Sequence, residues 1–392
     1  MIKRIQVQEL RIGMYVHKLE VFWLKHPLVH NAMLLTTDDQ IQVIAENGIK
    51  DVWIDLSKGR GPDQTDTGEE SEQPAAVRAT SMYEEVEQAQ AICLHAKGQV
   101  MGMFNDARLG RTIDTVGTLP LVDAINGSIS RHPAALLSVV RLKTHDDYTY
   151  LHSVAVCALM VSLARQLELE ESQVRRAGTA GLLHDVGKAA VPVDILNKPG
   201  KLTEAEFEVM KQHPLAGADL LRRSGGAEDL QDVALHHHEK VNGSGYPYGL
   251  KGNDISLLAR MAAVCDVYDA VTSDRPYKAG WNPASAMQQM ASWEGHFDRK
   301  VFYAFVKAVG IYPVGSLVRL ASGRIAVVAE QAGSSLLQPK VCVFYSLVTD
   351  LWLSPEMVDL ADRFCWDSIS GPEESTAWKG IDMNALWMRP VA

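Results

Sequence analysis

Residues 153–164, SVAVCALMVSLA, run between His152 and Arg165 without a single charge. A helix made from this stretch is apolar on every side and has to be covered all round. It cannot cross a bilayer, which takes about 20 apolar residues at 1.5 Å each. The run therefore predicts a buried central helix, and the chain must supply the helices that surround it.

The sequence does supply them. Ser81 and Glu84 make a capping-box pattern ahead of Met82, Val86, Cys93, Ala96 and Val100. Helical periodicity continues through LVDAINGSISRH, PAALLSVVRL, TYLHSVAVCALMVSLARQL, QVRRAGTAGLLHDVGKAA, EAEFEVMKQH, LAGADLLRR, DLQDVALHHHE and LLARMAAVCDVYDAV. Two stretches of different texture flank this block. Residues 1–56 alternate in a β manner around a helix at TTDDQIQVIAENG that ends at Gly48, which predicts a small α/β module. Residues 57–80 hold no aromatic residue and only Ala and Val as apolar ones, the composition of a flexible linker. Connecting helices follow over 81–130. From about residue 311 to 392, the β-branched runs GSLVRLASGRIAVVAEQ and PKVCVFYSLVTD predict a short β-rich C-terminal extension. The expected fold is mainly α, a helical bundle between these two smaller pieces.

A chain of 392 residues is long enough for two or more domains. Its 47% hydrophobic and 22% charged residues are those of a globular protein, and its formal net charge of -10 argues against binding a nucleic-acid polymer or an anionic membrane. An anionic substrate would have to be met by local cations. Cys93, Cys157, Cys265, Cys342 and Cys365 are far apart and form no CxxC pair, which predicts reduced thiols and a cytoplasmic location. The start, MIKRIQVQELRIGMYV, has no continuous apolar signal core.

Within the helical block, His152, His184 with Asp185, His213, His237 with His238, and Asp266 stand where a core would be apolar. Singly, each has a plain explanation. His152 alone would be a hydrogen-bonded core histidine, and the HHHE of HHHEKVNGSGYPYG (236–249) a solvated helix end. Together they are the imidazole and carboxylate set that holds borderline divalent metals, on helices that can converge inside a bundle. Lys188 follows His184 by four residues and would share its helix face, where an ammonium can offset charge on a phosphate.

LLHDVGK, DILNKPGKLTEAEFEVMKQHP, HHEKVNGSGYPYGL and DVYDAVTSDRPYK, in that order, resemble the HD-GYP branch of the HD phosphohydrolases over residues 131–310. Residues 1–56 are similar to the small domain of unknown function that often precedes HD-GYP domains. The resemblance implies an HD-type helical bundle with cyclic-di-GMP phosphodiesterase activity, giving linear pGpG and, by a slower second cut, GMP. It implies a site of two or three metals, iron or manganese, with ligands on His152, His184, Asp185, His213, His237, His238 and Asp266. Asp185 would bridge the metals, His152, His184 and Asp266 would complete one position, and His213, His237 and His238 the other. His236 falls outside the pattern. Family branches with a third metal carry a glutamate four residues before the first ligand histidine. Here that residue is Tyr148, which predicts two metals.

Lys188, Arg275, Lys278 and Tyr246 would meet the substrate, Arg275 through a planar fork suited to phosphate. Asn242 stands where many members have Asp; it keeps the turn-forming tendency and loses the charge. Implied partners are cyclic-di-GMP and a GGDEF-type diguanylate cyclase docking at the GYP loop, and the helix at 81–104 offers a surface for a homodimer. The competing readings are hydrolysis of another nucleotide and a cyclic-di-GMP sensor without turnover.

Overall fold

The computed structural model describes residues 2–19, 33–35, 41, 51–55, 58, 82–141, 148–274, 279–332, 335–374, 378, 383 and 385–388. The chain forms two compact units, 1–76 and 77–392. In the first, β1 (Ile2–Gln6), β2 (Tyr15–Leu19), β3 (Met33–Leu34) and β4 (Asp51–Asp55) pair antiparallel in the order β1-β4-β2-β3. Alternation puts Ile5, Val16, Val52 and Ile54 on one buried face with Leu10, Met14 and Leu35. Of the helix expected at TTDDQIQVIAENG only Ile41 is described; it is helical and packs on that face. Ser81 and, apart from Lys58, the linker expected at 57–80 lie outside the described residues.

The second unit opens with α1 (Met82–Arg108), α2 (Leu119–Arg131) and α3 (Pro133–Val140). The apolar run lies in α4 (Tyr148–Gln166), and every residue from 153 to 164 is buried. Packed against α4 are α1, α2, α3, α5 (Glu171–Leu183), α10 (Leu257–Thr272) and α12 (Arg299–Val309). Between α5 and α10 come a 3-10 turn (Val186–Ala190), the short α6 (Val193–Leu196), α7 (Glu204–Met210), α8 (His213–Arg223) and α9 (Glu228–His236). The expected helix through QVRRAGTAGLLHDVGKAA is therefore broken: α5 stops at Leu183, and the following residues tighten into the 3-10 turn. Two further helices, α11 (Pro283–Ala291) and α12, were not distinguished in the periodicity; Asp298 caps α12 by accepting from the Lys300 and Val301 amides at 2.8 and 3.1 Å.

The C-terminal region is more than a tail. Strands β5 (Leu317–Leu320), β6 (Arg324–Ala332), β7 (Ser335–Ser346), β8 (Leu351–Asp359) and β9 (Ile369–Pro372) form an antiparallel sheet in the order β8-β7-β6-β5-β9. Both faces of its centre are covered: Val318, Ala326 and Val343 lie side by side on one, and Leu317, Val327 and Cys342 on the other. Met82 and Val86 of α1, Ala135 of α3, and Trp387 of a last short helix, α13 (Ala385–Met388), join the same core. The Ser138 hydroxyl donates to the Val314 carbonyl at 3.3 Å across this seam. All five cysteines are free thiols, and no helix among the described residues is long and apolar enough to cross a membrane.

One ion pair ties α1 to α2. Glu85 is fully buried, and Arg131 donates to both its oxygens, Nε to Oε2 at 2.7 Å and Nη2 to Oε1 at 2.9 Å. Removing the arginine would leave a carboxylate buried without a counter-charge. Arg131→Leu should lower the unfolding free energy by about 3 kcal/mol, read from urea denaturation; Glu85→Gln with Arg131→Leu together should cost less than the single change.

Candidate metal centre

Seven buried or nearly buried side chains, from three helices and from the segments that follow two others, meet inside the bundle. His152 comes from α4 and His184 with Asp185 from the end of α5, while His213 opens α8. His237 and His238 follow α9, and Asp266 lies on α10. The break after Leu183 is what lets them meet. At Gly187, in the 3-10 turn, a Cβ would sit 1.9 Å from the His213 carbonyl oxygen and 2.4 Å from the Gly217 amide nitrogen. Only glycine allows the turn to rest directly on α8, and this contact brings His213 to Asp185.

The histidines are oriented from behind. Nδ1 of His184 lies 2.8 Å from the Gly181 carbonyl, Nδ1 of His213 2.8 Å from that of Met210, and Nδ1 of His237 3.0 Å from that of Ala234. A carbonyl oxygen only accepts, so each Nδ1 carries the proton and each Nε2 turns its lone pair inward. His152 is held by Asp269, whose Oδ2 is 2.7 Å from its Nδ1.

Inward, the atoms form two groups, Asp185 with His213, His237 and His238, and His152 with His184 and Asp266, each with its ligand atoms within 4.8 Å of one another. Asp185 also faces the second group. Its Oδ2 is 3.4 Å from Nε2 of both His152 and His184, and its Oδ1 is 3.3 Å from Nε2 of His213 and 3.7 Å from that of His237. Asp266 Oδ1 lies 3.1 Å from His152 Nε2. Buried Asp185 Oδ1 and His184 Nε2 have no hydrogen-bond partner. Orphaned acceptors inside a ring of imidazoles and carboxylates suit divalent cations well.

The electrostatics agree. Burial by itself would raise the Asp185 carboxyl, but the Lys188 charge and the neighbouring His184 and His152 rings hold it well below the ordinary range. Asp266 is held down in the same way by His152 and His184. Burial pulls His184 down, yet Asp185 and Asp266 outweigh it and raise its pKa, the mark of a spot that attracts positive charge. Burial and neighbouring histidines push His237 far down, and burial takes His238 to about 3. Both are neutral imidazoles at pH 7, the form that binds a metal.

The remaining expected residues divide. Lys188 does not share a continuous helix face with His184; from the 3-10 turn its ammonium contacts the Asp185 carboxylate. Tyr246 stands at the rim with its ring 4.8 Å from that of His238, its phenol pKa raised by burial and by Asp266 and Asp185. His236 turns to Asp232, at 2.7 Å, and joins neither group. Asn242 Oδ1 accepts from the Ser244 amide at 2.9 Å and hydroxyl at 2.7 Å, a turn that Asp would make equally well. Tyr148 is the first residue of α4, and its side chain is outside what is described. Arg275 and Lys278 also lie outside the described residues.

Two important carboxylates were given no role from the sequence. Asp269 lies one helical turn beyond Asp266, a spacing that could have flagged it. Glu239 is buried, and its oxygens accept from the amides of Tyr248, Gly249 and Leu250 at 2.7, 3.0 and 3.1 Å. It closes the glycine-rich loop on itself. Gly245 allows that closure, since a Cβ there would lie 2.5 Å from Glu239 Cα and 2.4 Å from the Lys240 amide nitrogen.

A helical bundle that gathers imidazoles and carboxylates around an adjacent His-Asp pair is the arrangement of an HD-domain protein. Residues 128–301 match the family model of the HD domain, and residues 2–117 match DUF3391, a domain of unknown function. The chain is 52% identical over 396 residues to a cyclic di-GMP phosphodiesterase of Pseudomonas aeruginosa, covering 99% of this chain and 96% of that one. It is 46% identical over 150 residues to the cyclic di-GMP phosphodiesterase response regulator RpfG of Xanthomonas campestris, covering 37% and 39%. It is 36% identical over 167 residues to 3'3'-cGAMP-specific phosphodiesterase 3 of Vibrio cholerae, covering 42% and 36%. The chain belongs to the HD-GYP family of HD-domain proteins.

Replacing Glu239 with alanine should free the loop while leaving the metal-facing atoms in place. Amide hydrogen exchange at Tyr248, Gly249 and Leu250 should accelerate by about tenfold or more in Glu239→Ala, because charge-assisted bonds are lost, with bound metal unchanged.

Proposed function

We propose that this chain hydrolyses cyclic di-GMP to linear pGpG at a two-metal centre. The observation that carries the reading is Asp185, whose two oxygens each face a separate set of imidazoles. Likeness to a cyclic di-GMP phosphodiesterase over almost the full length of both chains supports the substrate. Asp185 would bridge, with His152, His184 and Asp266 completing one metal position and His213, His237 and His238 the other. A mixed imidazole and carboxylate set suits iron or manganese. Such a pair of cations supplies Lewis acidity toward the phosphate and lowers the pKa of water.

The protein's own groups do the rest. Asp269 fixes the His152 tautomer, and backbone carbonyls fix those of His184, His213 and His237. Lys188 keeps Asp185 ionised and adds a positive charge where the phosphate binds. Tyr246, kept protonated, can donate to a phosphate oxygen or stack on a base at the rim. Arg275 and Lys278 are assigned to the phosphates from the SDRPYK motif. The GYP loop, where Tyr248 is exposed, is assigned to docking a GGDEF-type cyclase, and α1, where Leu94 is exposed, to a homodimer contact; exposure supports both assignments. A second cut to GMP should be slower than the ring-opening cut, because the linear product has a less fixed shape.

Incubation of manganese- or ferrous-loaded protein with cyclic di-GMP, followed by nucleotide separation, should give pGpG; 3'3'-cGAMP serves as the competing substrate. Elemental analysis should give about two metals per chain, because a tyrosine at position 148 offers no carboxylate for a third. Asp185→Ala should abolish turnover and strip most metal from a folded protein, whereas Lys188→Ala should retain the metal and lower kcat.

Asp269→Asn tests the support behind His152. An amide can present its NH2 to Nδ1 and favour the wrong tautomer, so metal affinity should fall by about 10–100-fold. Unchanged affinity in a chelator titration would give Asp269 a packing role only.

A further inference from the structure

A cavity of about 330 Å3 lies between α3, α4, α10 and α12 on one side and β6 on the other, away from the inward atoms of the metal centre. Its wall is mainly apolar, with Leu137, Ala155, Leu159, Pro313, Val314 and Leu336. Three buried polar atoms in this wall have no hydrogen-bond partner among the described residues: Nη1 of Arg141, the Tyr268 hydroxyl and Nδ1 of His132.

The kind of group missing follows from these three. A guanidinium only donates, a phenol donates readily, and an imidazole nitrogen can donate. Lys307 adds a positive charge to the same lining. The carboxylates present are already engaged: Glu330 Oε2 lies 3.0 Å from Lys340 Nζ, and Asp269 Oδ2 lies 2.7 Å from His152 Nδ1. Buried cations without a counter-charge are rare because their desolvation goes uncompensated. What would satisfy this wall is an anionic oxygen, and what would fill the rest of the space is an apolar body. Concave, mainly apolar volumes of this size with a few converging polar groups are typical small-molecule sites.

We infer that the cavity between the helical bundle and the C-terminal sheet is a second ligand site, for a small amphipathic anion whose charged oxygens are received by Arg141 and Tyr268. Carboxylate and phosphate heads share that chemistry. The inference does not rest on the metal-centre reading, because the site is tested by binding rather than by turnover.

Octanoate and octyl phosphate are the probes, with octanol and inorganic phosphate as controls, titrated into the full chain by calorimetry and thermal denaturation. At least one octyl anion should bind one to one and raise Tm by about 5 °C at a hundredfold excess over Kd, whichever head is preferred naming the source. Octanol should not bind. Arg141→Met should weaken the octyl anion by about tenfold or more without lowering the Tm of the unliganded protein. Tyr268→Phe, which removes only a hydroxyl, should weaken it less and carries the test if Arg141→Met does not fold. No binding of either octyl anion, binding of inorganic phosphate as tight as theirs, or unchanged affinity in Tyr268→Phe together with Arg141→Met or in Tyr268→Phe alone when that is the only folded variant, would overturn the inference.

Discussion

The bundle interior is organised around one carboxylate, Asp185, which has almost no contact with water. An ionised carboxylate in such a place is strongly disfavoured unless positive charge or donors surround it. Each neighbouring element is shaped by that need. Helix α5 ends at Leu183, the backbone leaves the helical path at Asp185, and the 3-10 turn returns Lys188 to the carboxylate. Gly187 lets α8 approach closely enough for His213 to face Oδ1. Remove the carboxylate and there is no reason for three helix termini to point polar side chains into an apolar core.

The hydrogen bonding of the site is lopsided in an informative way. Behind each of His184, His213 and His237 a backbone carbonyl accepts from Nδ1, and behind His152 stands Asp269. In front, His184 Nε2 and Asp185 Oδ1 find no hydrogen-bond partner at all. A core arranged for stability alone would satisfy both sides or place apolar residues there. Satisfied backs and open fronts describe a site preorganised for cations, with orientation fixed before binding and only the inward atoms left to be paired.

Much of this was legible beforehand, though from different kinds of signal. The uncharged run at 153–164 fixed the central helix because no other environment accepts it. The gathering of His152, His213 and Asp266 around Asp185 could not come from periodicity, since those residues are far apart in sequence; four linked motifs carried it. The end of α5 was missed because His-Asp-Val-Gly-Lys-Ala-Ala continues an acceptable helical pattern, and the break is imposed by tertiary contact at Gly187 rather than by a local breaker. Strand β8 was missed for the opposite reason: Leu351, Trp352 and Met357 are exposed, so burial leaves no alternation to read. Glu239 read as part of a polar run because its partners, the amides of Tyr248, Gly249 and Leu250, carry no side-chain signature.

Glu239 also explains why the histidine run and the glycine-rich loop are contiguous. His237 and His238 face the metal positions, the next residue clamps the loop from within, and Tyr246 returns to place its ring 4.8 Å from that of His238. The Tyr246 amide donates to the His238 carbonyl at 3.3 Å, so the rim residue is anchored to the backbone of an inward-facing histidine. A loop of any other length would detach one from the other. The proposed substrate contact and the proposed metal ligands thus lie on one short segment, and the tight turn at Gly245 is a condition for its closure because a side chain there would collide with Glu239 itself.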